Sequence, residues 1–520
     1  STMCINTCLS NKCEKCFYFF AWTGGVAYSI YNVYLMNIYF VDYYDLYLDF
    51  APGWSWIGRK QDVSDQEWKT WIPLLIALIP WIFIQHIISQ IIKYIFNSVV
   101  RYLLCCWYIF VSTFFLHYYL GTLGMLCILI QSSLLYLLSY ISNKKIIWLM
   151  HVLFLFVIHI FKIPDGMFHQ WLQYNDNEHY LLTLAMCWVQ LRSISQNMDN
   201  FKMYYGTDHI YFLDNYLKML AYCLYLPTLF LGPLILYHEF IELDKLPTRW
   251  NFTKVQKIVI NLMRYTFWLY FTEFALHFIY INALQYHPQI VQNSNSWALY
   301  GLGYCMGQFF LNKYVVVYGI NGTLCEADNI KAPPQPKCIG RIHLYSDMWK
   351  YFDRGLYKFL IRYIYIPVAK LKEYHRKLFA SFLCFTFVFL WHGMQINVFT
   401  WAFFNFIGLN IENISRIIGN TREYNAIQNK YLNAWNIRRF NCALASILLA
   451  MSAISNFYFF AGQEIGNIYI NRLLTDSWST TLLLLFFLYC CCHVSIEMKL
   501  MKVNKIRAKQ LSKTSNILYL

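Results

Sequence analysis

The sequence predicts an all-α polytopic membrane protein, and three observations carry that prediction. Charged residues make up 13% of the 520-residue chain, whereas soluble domains carry roughly 25%. Hydrophobic residues make up 58%, and the mean hydropathy is +0.36. Apolar runs recur along most of the chain, with no strand-like alternation long enough to compete. A water-facing globule of this size needs more polar surface. At roughly 20 residues per crossing, the runs correspond to about ten helices.

In chain order the apolar spans are 17–40, 72–98, 101–120, 121–142, 146–162, 216–237, 256–284, 296–318, 378–401, 442–461 and 480–497. Shorter interfacial or re-entrant pieces are expected near 178–198, 353–370 and 400–416. The first span is too long for a cleavable signal peptide, and no small-residue cleavage site follows it, so it reads as a signal anchor. Lys12 and Lys15 precede that span, and Asp42, Asp45 and Asp49 follow it. Basic residues mark the cytosolic side, so the N-terminus is expected there.

The tail carries Lys499, Lys502, Lys505, Arg507, Lys509 and Lys513, which puts the C-terminus on the same side. The organisation expected is a cytosolic segment over 1–16, one transmembrane domain over 17–500 and a basic cytosolic tail over 501–520. The net charge of +15 is accounted for by topology and contact with membrane lipids, with no nucleic-acid partner. No internal repeat is visible, which counts against a transporter built on inverted repeats.

The 17 cysteines are odd in number and many lie inside apolar spans, so they are not a disulfide framework. Cys4, Cys8, Cys13 and Cys16 lie beside a membrane helix, where S-acylation outweighs zinc binding. In Cys490-Cys491-Cys492-His493 consecutive residues of a helix point in different directions, so core packing is expected there. Cys338 sits in a stiff loop, Pro333-Pro334-Gln335-Pro336-Lys337-Cys338. Thiolates ligate haem iron, but by residues alone an ordinary loop cysteine is the commoner case.

The strongest functional signal is Trp391-His392 inside the run 378–401. An ionisable group in a membrane segment is expensive and marks a candidate site. No Asp, Glu or Lys lies within 378–401 to partner it, while Asp347 and Asp353 lie upstream. Asp353 and His392 stand 39 positions apart, enough for a helix to bring both to one cavity. An imidazole can accept a proton from an attacking amine or hydroxyl. By residues alone, Asp347 and Asp353 compete for the partner role. Arg354, Lys358 and Arg362 recur every four positions, a basic stripe that suits a phosphorylated donor such as acyl-CoA or serves as positive-inside anchoring.

The run Met348-Trp349-Lys350-Tyr351-Phe352-Asp353 through Leu360-Ile361-Arg362-Tyr363-Ile364-Tyr365-Ile366-Pro367, followed by Phe389-Leu390-Trp391-His392-Gly393, resembles the membrane-bound O-acyltransferase superfamily. Within that superfamily it is most similar to the hedgehog acyltransferase branch. Trp401-Ala402-x-x-Asn405-x-x-Gly408, Ser455-Asn456 and 462–472 extend the likeness. The resemblance implies a core of about 10–12 transmembrane helices. It implies transfer of palmitoyl from palmitoyl-CoA to the N-terminal cysteine amine of a hedgehog-type secreted ligand, in the endoplasmic reticulum membrane. It assigns His392 and Asp353 as the catalytic pair, which decides between Asp353 and Asp347. It makes Trp349 the acyl-cavity gate, Cys338 a ligand of haem b, and Trp391 and Asn456 cavity residues. Acylation of a serine or lipid hydroxyl, and a non-catalytic transporter or scaffold, are the alternative functions.

Overall fold

The computed structural model describes residues 12–43, 49–96, 100–163, 166–200, 209–241, 250–369 and 373–518. Most of segment 1–16, with Cys4 and Cys8, lies outside them, as do Asp45, Lys370 and Lys372 and the side chains of Asp42, Lys509 and Lys513.

Helix α1 (Lys12–Tyr43) crosses the bundle, and the face at which it starts is called the near face. A two-stranded ribbon of β1 (Phe50–Ala51) and β2 (Gln61–Asp62) follows on the far face. Helix α2 (Gln66–Ile95) starts there because the Asp65 side chain accepts the Trp68 N–H at 2.5 Å, satisfying one of the donors a helix start leaves unpaired. Helix α3 (Val100–Leu137) turns at Gly121, whose φ of +68° favours a residue without Cβ. The expected spans 101–120 and 121–142 are thus two arms of one element. Helices α4 (Lys144–Phe161), α5 (Met167–Leu172) and α6 (Asp176–Asn200) follow.

Helix α7 (His209–Cys223) leads by an irregular stretch to the short α8 (Tyr237–Ile241). Helix α9 (Phe252–Ala275), the short α10 (Ile281–Gln285) and α11 (Pro288–Asn293), and the long α12 (Ser296–Ala327) come next. Helices α13 (Tyr345–Tyr351) and α14 (Arg354–Leu360) run through a π turn at Ile361–Tyr365 into α15 (Ile366–Val368). Helices α16 (Tyr374–His392), α17 (Ile396–Gly419), α18 (Arg422–Tyr431), α19 (Ala434–Thr475, turning at Gly462) and α20 (Trp478–Leu518) complete the chain.

Helix α1 packs between α12 and α20, and α17, α19 and α20 form the neighbouring layer. Lys15 and Arg438 both reach Glu497, at 2.9 and 2.7 Å, and Arg439 reaches Glu14 at 2.9 Å. These pairs gather the start of α1, the start of α19 and the middle of α20 on the near face. Among the described residues five helical stretches are long and apolar enough to cross a membrane: Gln66–Ile95, Arg101–Tyr140, Lys144–Phe161, Ala434–Thr475 and Trp478–Ala508. One further long helix, α6, carries more polar residues and buries most of them.

Helix α6 shows this and differs from the interfacial piece expected at 178–198. Beyond its first turn most of its polar side chains face inward, and several are paired. Gln190 donates to the His151 carbonyl at 3.0 Å, and Asn197 donates to the Leu135 carbonyl at 3.0 Å. Arg192, 1% exposed, donates to the carbonyls of Cys223 (2.7 Å) and Thr228.

The run 216–237 also differs from a simple span. The helix ends at Cys223, and the apolar stretch beyond it is buried but irregular. Pro227 and Gly232-Pro233 lie in that stretch, and proline cannot continue a helix interior. Irregular backbone is tolerated at membrane depth only where protein groups satisfy it. Here Arg192 takes two carbonyls, Asn321 donates to the Gly232 carbonyl (3.0 Å), and the Tyr222 hydroxyl donates to that of Ile235 (2.6 Å).

Candidate active site

A cavity of ≈ 1060 Å³ penetrates the bundle. At the far face its rim holds Gln66, Glu67, Lys162, His169, Asp176 and His179. It extends toward the near face as far as Gly340, Ile342 and Cys491, the last on the same helix as Glu497. Asp353, His392, Trp349, Trp391 and Asn456 all line it.

Asp353 is the N-cap of α14, and its sequence context explains this. An aspartate before a helix start accepts an otherwise unpaired backbone N–H, here that of Leu356 at 2.9 Å through Oδ1. Its Oδ2 accepts the Tyr318 hydroxyl at 2.8 Å. Gly355 lets this turn press on the irregular 224–236 stretch, since a Cβ there would lie 2.3 Å from the Leu234 carbonyl oxygen. The carboxylate is therefore pinned by its own helix, by α12 and by the buried stretch.

His392 is the last residue of α16, which ends because Gly393 adopts φ +119°. The ring is held by aromatic neighbours. Trp391, Phe459 and Trp401 lie at centroid distances of 4.7, 5.1 and 5.7 Å, all edge-on. Among the described residues no side chain or backbone group hydrogen-bonds to its nitrogens, and the half-buried ring lines the cavity.

The surrounding cage is tied together by polar groups on helix faces. Trp349 donates to Asn405 Oδ1 at 3.1 Å and packs edge-on against Phe385 at 4.9 Å. Trp401 donates to Asn456 Oδ1 at 3.0 Å and packs at a tilt against Phe459 at 4.4 Å. Trp391 donates to the Cys187 carbonyl at 3.4 Å.

The remaining sequence candidates lie outside this cage. Asp347 is ion-paired with Lys499. Lys358 is paired with Glu239 at 2.5 Å, and Arg362 meets Asp199 through two nitrogens at 2.8 and 3.0 Å. Arg354 lies against the Tyr351 ring at 5.4 Å. Cys338 is half-buried, and its Sγ would lie 3.8 Å from a Cβ placed on Gly340.

Tyr318, Phe459 and the far-face rim, with His169 and His179, were not singled out from sequence. Tyr318 and Phe459 are ordinary aromatics in aromatic-rich helices. The rim joins the starts of α2 and α6 to the segment after α4, which are remote in sequence. The Trp401–Asn405 spacing, one helical turn, was a visible signal.

The family model of the membrane-bound O-acyltransferases matches residues 133–455. The fruit-fly (Drosophila melanogaster) protein named Protein-cysteine N-palmitoyltransferase Rasp is 30% identical over 467 residues, 88% of this chain and 90% of that protein. The mouse (Mus musculus) Protein-cysteine N-palmitoyltransferase HHAT is 27% identical over 487 residues, covering 90% and 94%. The mouse HHAT-like protein is 25% identical over 374 residues, covering 69% and 70%.

Proposed function

The chain belongs to the membrane-bound O-acyltransferase family and is an acyltransferase, and we propose that it transfers palmitoyl from palmitoyl-CoA to the N-terminal cysteine amine of a hedgehog-type secreted protein. The observation that carries this reading is the meeting of Asp353 and His392 in one cavity, in a chain whose relatives are named protein-cysteine N-palmitoyltransferases.

The reaction forms a C–N bond and breaks the C–S bond of the thioester. The amine, neutral in part because its reference pKa is about 7.7–8.0, attacks the thioester carbonyl. His392 accepts the amine proton as the bond forms, which its unpartnered ring nitrogens allow. The tetrahedral intermediate collapses and expels the CoA thiolate, which takes up a proton. Asp353 has both oxygens engaged on the protein side, which suits an orienting role beside the reacting centre. Trp349, Trp391 and the Trp401–Phe459 pair exclude water, which otherwise hydrolyses the thioester. Asn456 holds Trp401 in place.

The membrane reading is the endoplasmic reticulum, with both termini cytosolic and acyl-CoA entering from the near face. The ion pairs of Lys15, Arg438 and Arg439 support placing the starts of α1 and α19 on the same side as the tail. The chain is read as one transmembrane domain over 17–500, followed by the basic tail.

Haem b on Cys338 is part of the proposal, and the residues present fit it. The thiol is half-buried beside Gly340, whose missing side chain leaves room. When bound, haem supplies a thiolate-ligated iron. A Soret band in purified protein that disappears in Cys338→Ala is the expected result.

The test of function is incubation with labelled palmitoyl-CoA and three peptides: a free N-terminal cysteine, its N-acetylated form, and one carrying serine. Hydroxylamine-resistant label on the free-amine peptide alone is expected. Hydroxylamine-labile label on the serine peptide would move the chain to the O-acylating branch. No transfer by folded protein would remove the reading.

A further inference from the structure

The turn that joins β1 to β2 on the far face puts Trp56 at its tip, 73% exposed, with Trp54 half-buried behind it. The turn is fastened to the segment after α9. The Trp54 N–H donates to His277 Nε2 at 2.9 Å, and Arg59 Nε donates to the His277 carbonyl at 3.1 Å. A turn held at both ends presents its indoles in one fixed direction.

That direction continues the outer side of α9, whose opposite side packs on α12. Trp56 stacks on Phe274 at 6.2 Å, and Trp54 lies 5.6 Å from Trp56 and 6.5 Å from Tyr270. Phe267 and Tyr270, 62% and 59% exposed, carry the same side down the helix at a spacing of about one turn. From Phe267 to Phe274 every exposed side chain is uncharged. Arg264, exposed one turn before, is long enough to carry its charge toward the near face.

The one carboxylate of that stretch, Glu273, is engaged by the protein. It accepts the Trp68 indole N–H at 2.6 Å and the Gln61 amide. Trp68 stands in the first turn of α2, beside Gln66 and Glu67 of the cavity's far rim. Ribbon, α9 and far mouth are thus tied into one unit.

We infer that Trp54 and Trp56, with Tyr270 and Phe274, form a foot seated in the headgroup boundary of the far leaflet, with phospholipid as its partner, and that this foot holds the far mouth of the cavity at the bilayer surface. Tryptophan and tyrosine, apolar with one polar end, collect at that boundary. Lys60, exposed beside the tip, is the basic companion such anchors carry. Lipid is favoured over a protein partner because the patch has no edge on the α9 side: it runs without a charged break from Trp56 to Phe267 in a chain of a membrane-bound family. Seating in lipid is independent of which donor and acceptor the enzyme uses.

The full chain is placed in phosphatidylcholine nanodiscs whose acyl chains carry bromine near the headgroup or near the bilayer centre. Tryptophan emission is compared between wild type and Trp56→Phe, which keeps a ring on Phe274. The emission lost in the variant should be quenched about twofold more by the shallow bromine than by the deep one, and little by aqueous iodide. Quenching by iodide with no effect of bromine overturns the foot. If a soluble protein with a free N-terminal cysteine relieves that iodide quenching, the patch belongs to the acceptor instead. Stronger quenching by the deep bromine overturns the boundary position. Trp56→Glu should lower kcat/KM for the free-amine peptide about threefold in nanodiscs, since a charge near an interface costs little, and leave it unchanged in detergent micelles. Equal loss in both media marks a local folding defect and overturns the coupling of foot to mouth. Wild-type protein that transfers no palmitoyl removes the acyltransferase reading, and the quenching result still decides the foot.

Discussion

Asp353 and His392 share a cavity but are held in opposite ways. The carboxylate is fastened by directional bonds, one from the backbone of its own helix and one from Tyr318. The imidazole is fastened by shape alone, between Trp391, Trp401 and Phe459, with its nitrogens unpartnered among the described residues. The difference bears on how labour would divide between them under the proposed reaction. A group whose hydrogen bonds are already made can orient others, whereas a group whose nitrogens are free can take and release a proton.

The largest expected effect breaks the pair at the ring. His392→Ala should lower kcat by about 10²- to 10⁴-fold, the usual range for losing a positioned base, with near-normal expression. His392→Gln sharpens the point, because an amide hydrogen-bonds but does not accept the proton. If the Gln variant turns over at the wild-type rate in single-turnover assays, the base assignment is lost.

Next is Asp353→Asn, which should lower kcat on the order of 10²-fold, toward the lower end of that range, without lowering thermal stability. Asparagine caps a helix about as well as aspartate, whereas Asp353→Ala should cost about 1 kcal/mol in addition. A Tm for the Asn variant as low as that for Ala would show a role in capping alone.

Tyr318→Phe removes one of the two bonds and leaves the ring packing. A single hydrogen bond contributes about 1 kcal/mol, so about a fivefold loss in kcat is expected. A loss as large as that of Asp353→Asn would make Tyr318 a direct participant.

The smallest effect lies outside the pair and depends on pH. Burial holds Lys337 near 8, so the folded protein sheds this proton before the unfolded chain does. The same depression makes its contribution to stability increase from about pH 8 toward 10.5. Lys337→Gln should flatten that rise in thermal melts between about pH 8 and 10.5, and an unaltered profile would show that Lys337 keeps its proton like a free lysine.

Much of this candidate site was legible in sequence. His392 stood out because an ionisable side chain among Phe385, Phe387 and Phe389 has few innocent explanations. Asp353 was recognisable only with the motif around it, because by residues alone Asp347 was equally placed. Tertiary structure separates them: Asp353 lines the cavity and Asp347 pairs with Lys499. The basic stripe was visible as a four-residue spacing, but its carboxylate partners Asp199 and Glu239 come from α6 and α8, more than a hundred positions away.

Composition and apolar run length by themselves determined an all-α membrane bundle, because lipid leaves the backbone of a spanning segment few ways to satisfy its polar groups. They also determined the apolar helices α2 and α3, with a turn between the two arms of α3. Only tertiary structure decided that 224–236 is irregular and that α6 is buried. Those outcomes depend on Arg192, Asn321 and Gln190 reaching carbonyls on other elements. Hydropathy records how costly a polar group is in lipid, but whether that cost is met depends on a partner that sequence spacing does not reveal.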